Sequence, residues 1–203
     1  MIVGVPRALE EYFEDLEFDI IVMANFEGAR ELELKALAKV LRALKAEEVL
    51  TLRLTEEGIE REEGLIISPW RKKSLEGSLE SISYATMPFL VNKRYLLWFQ
   101  SYHPWGGVPD IMLSFNGTVR LEDHVLSFSE PAWKLTRRGR LWKATGLDWK
   151  PDLVIEVKRS YKKSKRYPAR RSLVVFERGG ELEDPCALPI ERLEVLISQA
   201  HVH

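Results

Sequence analysis

Glu156 and Lys158 stand two residues apart in the apolar run Leu153-Val154-Ile155-Glu156-Val157-Lys158, which Pro151-Asp152 opens and Arg159 closes. Successive side chains of a strand point to opposite faces, so the acid and the amine share one face while Leu153, Ile155 and Val157 share the other. A buried unpaired charge is costly, so such a strand needs a reason to carry both groups. A second acid, Asp110, opens a similar stretch, Val108-Pro109-Asp110-Ile111-Met112-Leu113. Two carboxylates and a lysine on neighbouring strands have the chemistry to hold a divalent cation and polarise a scissile phosphate.

With Pro109-Asp110 as the first element and Glu156-Val157-Lys158 as the second, the chain resembles the PD-(D/E)XK nuclease superfamily over roughly its C-terminal two thirds. The order that follows also fits: a basic segment, another apolar strand at Ser172–177, and a helix near 190–199. The resemblance implies a restriction-endonuclease-like fold and Mg²⁺ or Mn²⁺ as cofactor. It makes Asp110, Glu156 and the Val157 carbonyl the metal ligands and Lys158 the catalytic amine. It also implies a glutamate from a helix before the first core strand, for which Glu80 and then Glu76 are the choices. The 45 residues between Asp110 and Glu156 exceed the usual spacing and require an extra hairpin or loop over 116–149. Asp152 competes as a first acid, but it lies on the same strand as Glu156, and Asp110 is preferred.

The elements expected to position these groups define an α/β protein with a mixed central sheet flanked by helices. Residues 1–70 read as an N-terminal β-α-β-β elaboration and 71–203 as the nuclease-like core. Strands are expected at 18–24, 49–54, 65–68 and 95–100, with an acidic turn over 56–64. A helix is expected over 29–46, with Leu37, Val40, Leu41 and Leu44 on one stripe that suits either a core or a homodimer interface. The turn-rich joint His103-Pro104-Trp105-Gly106-Gly107 implies antiparallel pairing of the strands on either side of it.

A formal net charge of −1 conceals an asymmetry. Residues 1–70 carry 8 Lys/Arg against 16 Asp/Glu, whereas 134–171 carry 14 against 3. Arg159, Lys162, Lys163, Lys165 and Arg166 follow the Glu156 strand directly and suit a nucleic-acid backbone, DNA by preference. Tyr161 and Tyr167 lie among them with stacking or ordinary packing as their roles, and Lys134, Arg137, Arg138 and Arg140 mark a basic hairpin around Gly139. A salt-bridged surface against the acidic N-terminal part is the plainer account of the same charges. The single Cys186 excludes an internal disulfide framework and four-cysteine zinc or iron–sulfur centres. No apolar run reaches membrane-spanning length, and the acidic start does not resemble a targeting peptide. The sequence thus points to a cytoplasmic endonuclease, a hydrolase of thermophile-like composition. The alternatives are a non-catalytic nucleic-acid-binding module on the same fold and a protein-interaction domain.

Overall fold

The computed structural model describes residues 1–23, 29–54, 59–67, 88–100, 108–115, 119–122, 125–128, 133–138, 141–145, 151–160, 169–178 and 186–200. In chain order the first elements are β1 (Ile2–Val3), β2 (Ile20–Val22), α1 (Ala29–Ala43), β3 (Val49–Leu54), β4 (Ile59–Glu63) and β5 (Leu65–Ile67). They continue with β6 (Phe89–Val91), β7 (Tyr95–Phe99), β8 (Ile111–Ser114), β9 (Val119–Glu122), β10 (Val125–Phe128), β11 (Trp133–Arg138) and β12 (Leu141–Thr145). The last are β13 (Leu153–Ser160), β14 (Arg171–Arg178), β15 (Ala187–Pro189) and α2 (Leu193–Ala200), the last preceded by a 3₁₀ turn.

Eight strands form one mixed sheet in the order β15-β14-β13-β8-β7-β6-β3-β4. Neighbours from β4 to β13 run antiparallel, while β13, β14 and β15 run parallel. The mixed α/β sheet therefore agrees with the sequence reading, and β7 and β8 pair antiparallel as the intervening turn residues imply. Leu153, Ile155 and Val157 lie in one buried cluster with Leu37, Val40 and Leu41 of α1 and Leu44 just after it. The α1 stripe is thus core, which leaves it no part in a dimer interface. Apolar side chains surround most of this helix, the pattern of an element buried within a core.

The N-terminal strands divide between two sheets. β3 and β4 extend the eight-stranded sheet, whereas β1, β2 and β5 form a separate parallel sheet. The acidic stretch expected as a turn over 56–64 contains strand β4, paired along its length with β3. Its charges disguise it in the sequence, yet they suit a sheet edge, where charge discourages further pairing. Arg53 lies directly opposite Glu60 and bonds it at 2.6 Å. Gly64, at φ +94, swings the chain from β4 in one sheet to β5 in the other, and a Cβ there would stand 2.6 Å from the Asp19 carbonyl oxygen. The buried Thr51 hydroxyl ties this corner together, donating to the Gly64 carbonyl at 2.7 Å and accepting the Ile66 N–H at 2.9 Å.

Helix α1 ends in a Schellman motif: Lys45 takes φ 49, the Ala46 N–H reaches the Leu41 carbonyl and the Lys45 N–H that of Arg42. Asn92 secures this end against the β6–β7 turn. Its side chain accepts the N–H groups of Glu47 and Glu48 and donates to the carbonyls of Leu44 and Lys45. Asn92 and Lys93 both have positive φ, as a type I′ hairpin turn requires, and Asn tolerates that conformation. Asn92→Ala is expected to lose about 1–3 kcal/mol of stability, measured by urea unfolding, because it removes these bonds and places Ala in a left-handed conformation.

The spacing between Asp110 and Glu156 is filled by a four-stranded antiparallel sheet in the order β12-β11-β10-β9, rather than by one hairpin. Its register is strict. Arg120, Ser127, Lys134 and Thr145 stand opposite one another across the four strands, and Leu121, Leu126, Leu135 and Ala144 form the adjacent row. The proposed boundary at 69–73 lies outside the described residues.

Candidate metal and phosphate site

The pairing of β8 with β13 places Ile111 opposite Ile155 and so brings Asp110, just before β8, beside Glu156. The Oδ2 of Asp110 accepts the Val157 N–H at 2.6 Å, a bond that joins the two sequence motifs directly. Lys158 donates to Glu156 Oε2 at 2.7 Å, and its Nζ stands 3.7 Å from Asp110 Oδ2. One ammonium thus touches both carboxylates. The sequence-predicted trio Asp110, Glu156 and Lys158 is brought together.

Glu156 is buried, and its second oxygen, Oε1, has no hydrogen-bond partner among the described residues. A buried carboxylate oxygen left unsatisfied is destabilising and needs an explanation. Burial first, and the Glu156 charge second, push the Asp110 carboxyl from 3.8 up to about 6, against the lowering effects of the Val157 N–H and Lys158. Burial acts to lower the Lys158 pKa, but the Glu156 hydrogen bond and the charges of Asp110, Glu156 and Glu33 outweigh it and raise the value. The amine is therefore an ammonium at neutral pH, a donor and a charge rather than a proton acceptor.

These features fit a divalent cation. Glu156 Oε1 and the second Asp110 oxygen are hard donors in an electron-rich, partly desolvated place, and Val157 directly follows Glu156 in sequence. Among the described residues no three His, Cys, Asp or Glu side chains form a ready-made cage. Two carboxylates, a carbonyl and waters are the coordination style expected of Mg²⁺, which keeps several waters.

The competing Asp152 is already engaged. Its Oδ2 accepts the Phe115 N–H at 2.8 Å and the Ser114 hydroxyl at 3.3 Å, and its Oδ1 pairs with Arg170 at 3.2 Å. It clamps the start of β13 to the end of β8. Among the described bases of the 134–171 segment, Lys158 and Arg170 make their ion pairs with Glu156, Asp110 and Asp152. Those partners are local, and none is an acid of residues 1–70.

The sequence reading overlooked Glu33. It lies on α1, the helix that precedes the first strand of the eight-stranded sheet; its charge reaches Lys158, and it accepts a bond from Gln100 Nε2. Glu76 and Glu80, the choices for a helix acid in the sequence, lie outside the described residues. Arg159 is exposed at the end of β13. Lys162, Lys163, Lys165, Arg166, Tyr161, Tyr167, His103 and His124 lie outside the described residues, as do Arg140 and Gly139. Among the described residues no helix is long and apolar enough to cross a membrane. Comparison of the chain with protein-family models, with curated proteins and with solved structures finds no match.

Proposed function

We propose that this protein is a metal-dependent nuclease that hydrolyses phosphodiester bonds in DNA, built on a restriction-endonuclease-like core similar to the PD-(D/E)XK superfamily. The observation that carries the reading is the buried Glu156 Oε1, without a partner among the described residues, beside an Asp110 carboxyl raised by burial and by its acidic neighbour. The strand order supports it: antiparallel β7, β8 and β13, then parallel β14, with α1 on one face.

In this reading Asp110, Glu156 and the Val157 carbonyl hold Mg²⁺ or Mn²⁺. When bound, the cation lowers the pKa of a coordinated water and offsets charge developing on the phosphate. Asp110 keeps one oxygen on the Val157 N–H, which fixes the orientation of the other. Lys158 remains charged and donates N–H groups to phosphate oxygens or to the attacking water, stabilising the charge that builds there. Its stem rises from the same strand face as Glu156, so the ammonium swings between carboxylate and phosphate without movement of the strand. The exposed Arg159 suits contacts with the phosphate backbone.

The test is cleavage of labelled linear, single-stranded, nicked and branched DNA, and of RNA, in Mn²⁺, Mg²⁺ or EDTA. Metal-dependent cutting that disappears in Glu156→Ala and Asp110→Ala is the expected result. Cutting unchanged by both substitutions would sink the site, and binding without cutting by the wild type would leave a nucleic-acid-binding module. Arg159→Ala should weaken DNA binding and flatten the plot of log affinity against log salt by about one unit or less.

A further inference from the structure

The small parallel sheet shows an apolar face to solvent. Across β1, β2 and β5, Ile2, Ile20 and Leu65 stand in one row and Val3, Ile21 and Ile66 in the next. Alternation sends these rows to opposite faces. Ile20, Val22, Leu65 and Ile67 face inward, in the buried cluster that also holds Leu9, Phe13 and the apolar residues of α1. The outer face is apolar as well. Val3 is 45% exposed, Met23 59% and Met1 72%, while Ile21 and Ile66 are half-buried. Among the described residues four large apolar side chains are exposed, and three of them belong to this one face; the fourth is Val195 on α2.

Parallel sheets are ordinarily covered on both faces, and their strands read as unbroken apolar runs. Met1-Ile2-Val3, Ile20-Ile21-Val22-Met23 and Leu65-Ile66-Ile67 are such runs, yet their outer side chains meet solvent. Scattered apolar residues on a surface need no explanation, but a contiguous group does. The dimensions select the cover. Three strands spaced ~4.8 Å apart set the outer two ~10 Å from each other, about the diameter of one α-helix. A helix is also what lies on the faces of parallel sheets. A second copy of the chain fits less well, because five side chains fall short of the ~800 Å² per partner of a standard interface between folded surfaces. Charge decides the rest. Glu17, Asp19 and Glu63 are exposed around the end where β2 and β5 begin, and the Met1 ammonium bonds Asp19 there at 2.6 Å. With 8 Lys/Arg against 16 Asp/Glu over residues 1–70, this part of the chain repels both its own copy and an anionic lipid surface, and it attracts a basic segment.

We propose that the outer face of the β1-β2-β5 sheet is a docking site for an amphipathic helix of a partner protein, basic along its polar side. Apolar residues of that helix at i, i+3, i+4 and i+7 lie over Val3, Ile21, Met23 and Ile66. Its Lys or Arg side chains reach the acidic end at Glu17, Asp19 and Glu63, adding electrostatic steering to the apolar contact. The exposed methionine Met23 is unbranched and adapts to the surface laid against it. The face belongs to a different sheet from Asp110, Glu156 and Lys158, so the docking site stands independently of the nuclease reading.

The probe is a fluorescent helical peptide of about 15 residues, built from Leu and Lys with the Leu residues in one stripe. Two controls accompany it: the same composition with Leu spread around the helix, and the same stripe with Glu in place of Lys. Anisotropy measures binding to the full chain, and amide chemical shifts of the isotope-labelled chain locate it. The striped basic peptide should bind about tenfold or more tightly than either control, shift the amides of β1, β2 and β5, and weaken as salt rises. Val3→Lys/Met23→Lys should lower its affinity about tenfold or more at an unchanged melting temperature, since both side chains are exposed. Val3→Thr/Met23→Gln, which adds no charge, should lower it as well, and Val195→Lys on α2 should leave it as it is. Equal binding of the spread-Leu peptide, or an equal loss in Val195→Lys, would reduce the effect to charge alone and overturn the proposal. So would the absence of binding, or shifts confined to other elements. A concentration-dependent dimer by sedimentation that Val3→Lys/Met23→Lys abolishes would assign the face to a second copy. Binding to anionic phospholipid vesicles that Val3→Thr/Met23→Gln abolishes would assign it to a membrane, and either result would also overturn the proposal.

Discussion

Lys158→Met is expected to move two properties in opposite directions: cleavage falls by about 10²–10³-fold, while Mn²⁺ binds about tenfold more tightly. The first effect follows from loss of the one positive side chain among the described residues that pairs with both acids, at 2.7 Å from Glu156 and 3.7 Å from Asp110. The second follows from the same distances. The ammonium neutralises the carboxylates that a metal would use, so a cation entering the site must displace it. Methionine keeps the unbranched stem and its packing but removes the charge, leaving two acids with no internal counter-ion. Without metal the variant should lose about 2 kcal/mol at neutral pH. Removing one partner of a buried pair strands the other, and partial exposure of the lysine moderates the cost. Adding Glu156→Gln to Lys158→Met should recover most of that loss, since an amide carries no charge to strand. Calorimetric Mn²⁺ titration and urea unfolding of the four combinations are the measurements. Unchanged or weaker Mn²⁺ binding in Lys158→Met would refute the competition between ammonium and cation.

The trio was legible in the sequence because strand alternation is a strict rule and the β13 pattern is clean. Leu153, Ile155 and Val157 read as one buried face and are one, packed against α1. The acids on the other face could then be matched to Asp110, which opens the only comparable strand that also begins Pro-Asp. What was not legible has a physical cause in each case. β4 carries four charges in five residues, and hydrophobic periodicity cannot signal a strand whose charges serve an edge. The strands over 119–145 are short, and a register that links Arg120 to Lys134 through Ser127 is a property of pairing, not of any one segment. Glu33 was hidden by its setting in Glu31-Leu32-Glu33-Leu34, where it looks like any surface helix acid. Only the fold shows that the end of α1 bearing it lies near the end of β7. Gln100 was hidden more deeply still. It takes a left-handed φ and touches Asp110 and Glu33, and nothing in the local sequence calls for either. The order of the sheet was readable in outline, whereas the groups that cross between elements were not.

The burial that raises the Asp110 carboxyl should make the metal-free protein less stable at neutral pH than in mild acid. In the folded chain its carboxyl titrates at about 6 rather than 3.8, so between those values the folded state binds more protons than the unfolded state. Stability from this group is therefore fully present below about pH 4 and lost as pH rises through about 6. The two-unit rise corresponds to about 2–3 kcal/mol, at 1.36 kcal/mol per unit. Asp110→Asn removes the titration but keeps an oxygen to accept the Val157 N–H, the bond that joins the strands. The variant is expected to be more stable than wild type at pH 7.5 without metal by about 1–3 kcal/mol, to match it near pH 4, and to cut no DNA. Saturating Mn²⁺ should reverse the ranking at pH 7.5, because the cation stabilises only the chain that binds it. Urea unfolding at several pH values, with and without Mn²⁺, reads all three effects. A variant less stable than wild type at pH 7.5 in EDTA would mean that Asp110 serves the fold through its charge, and the case for a carboxylate held ready for metal would fall with it.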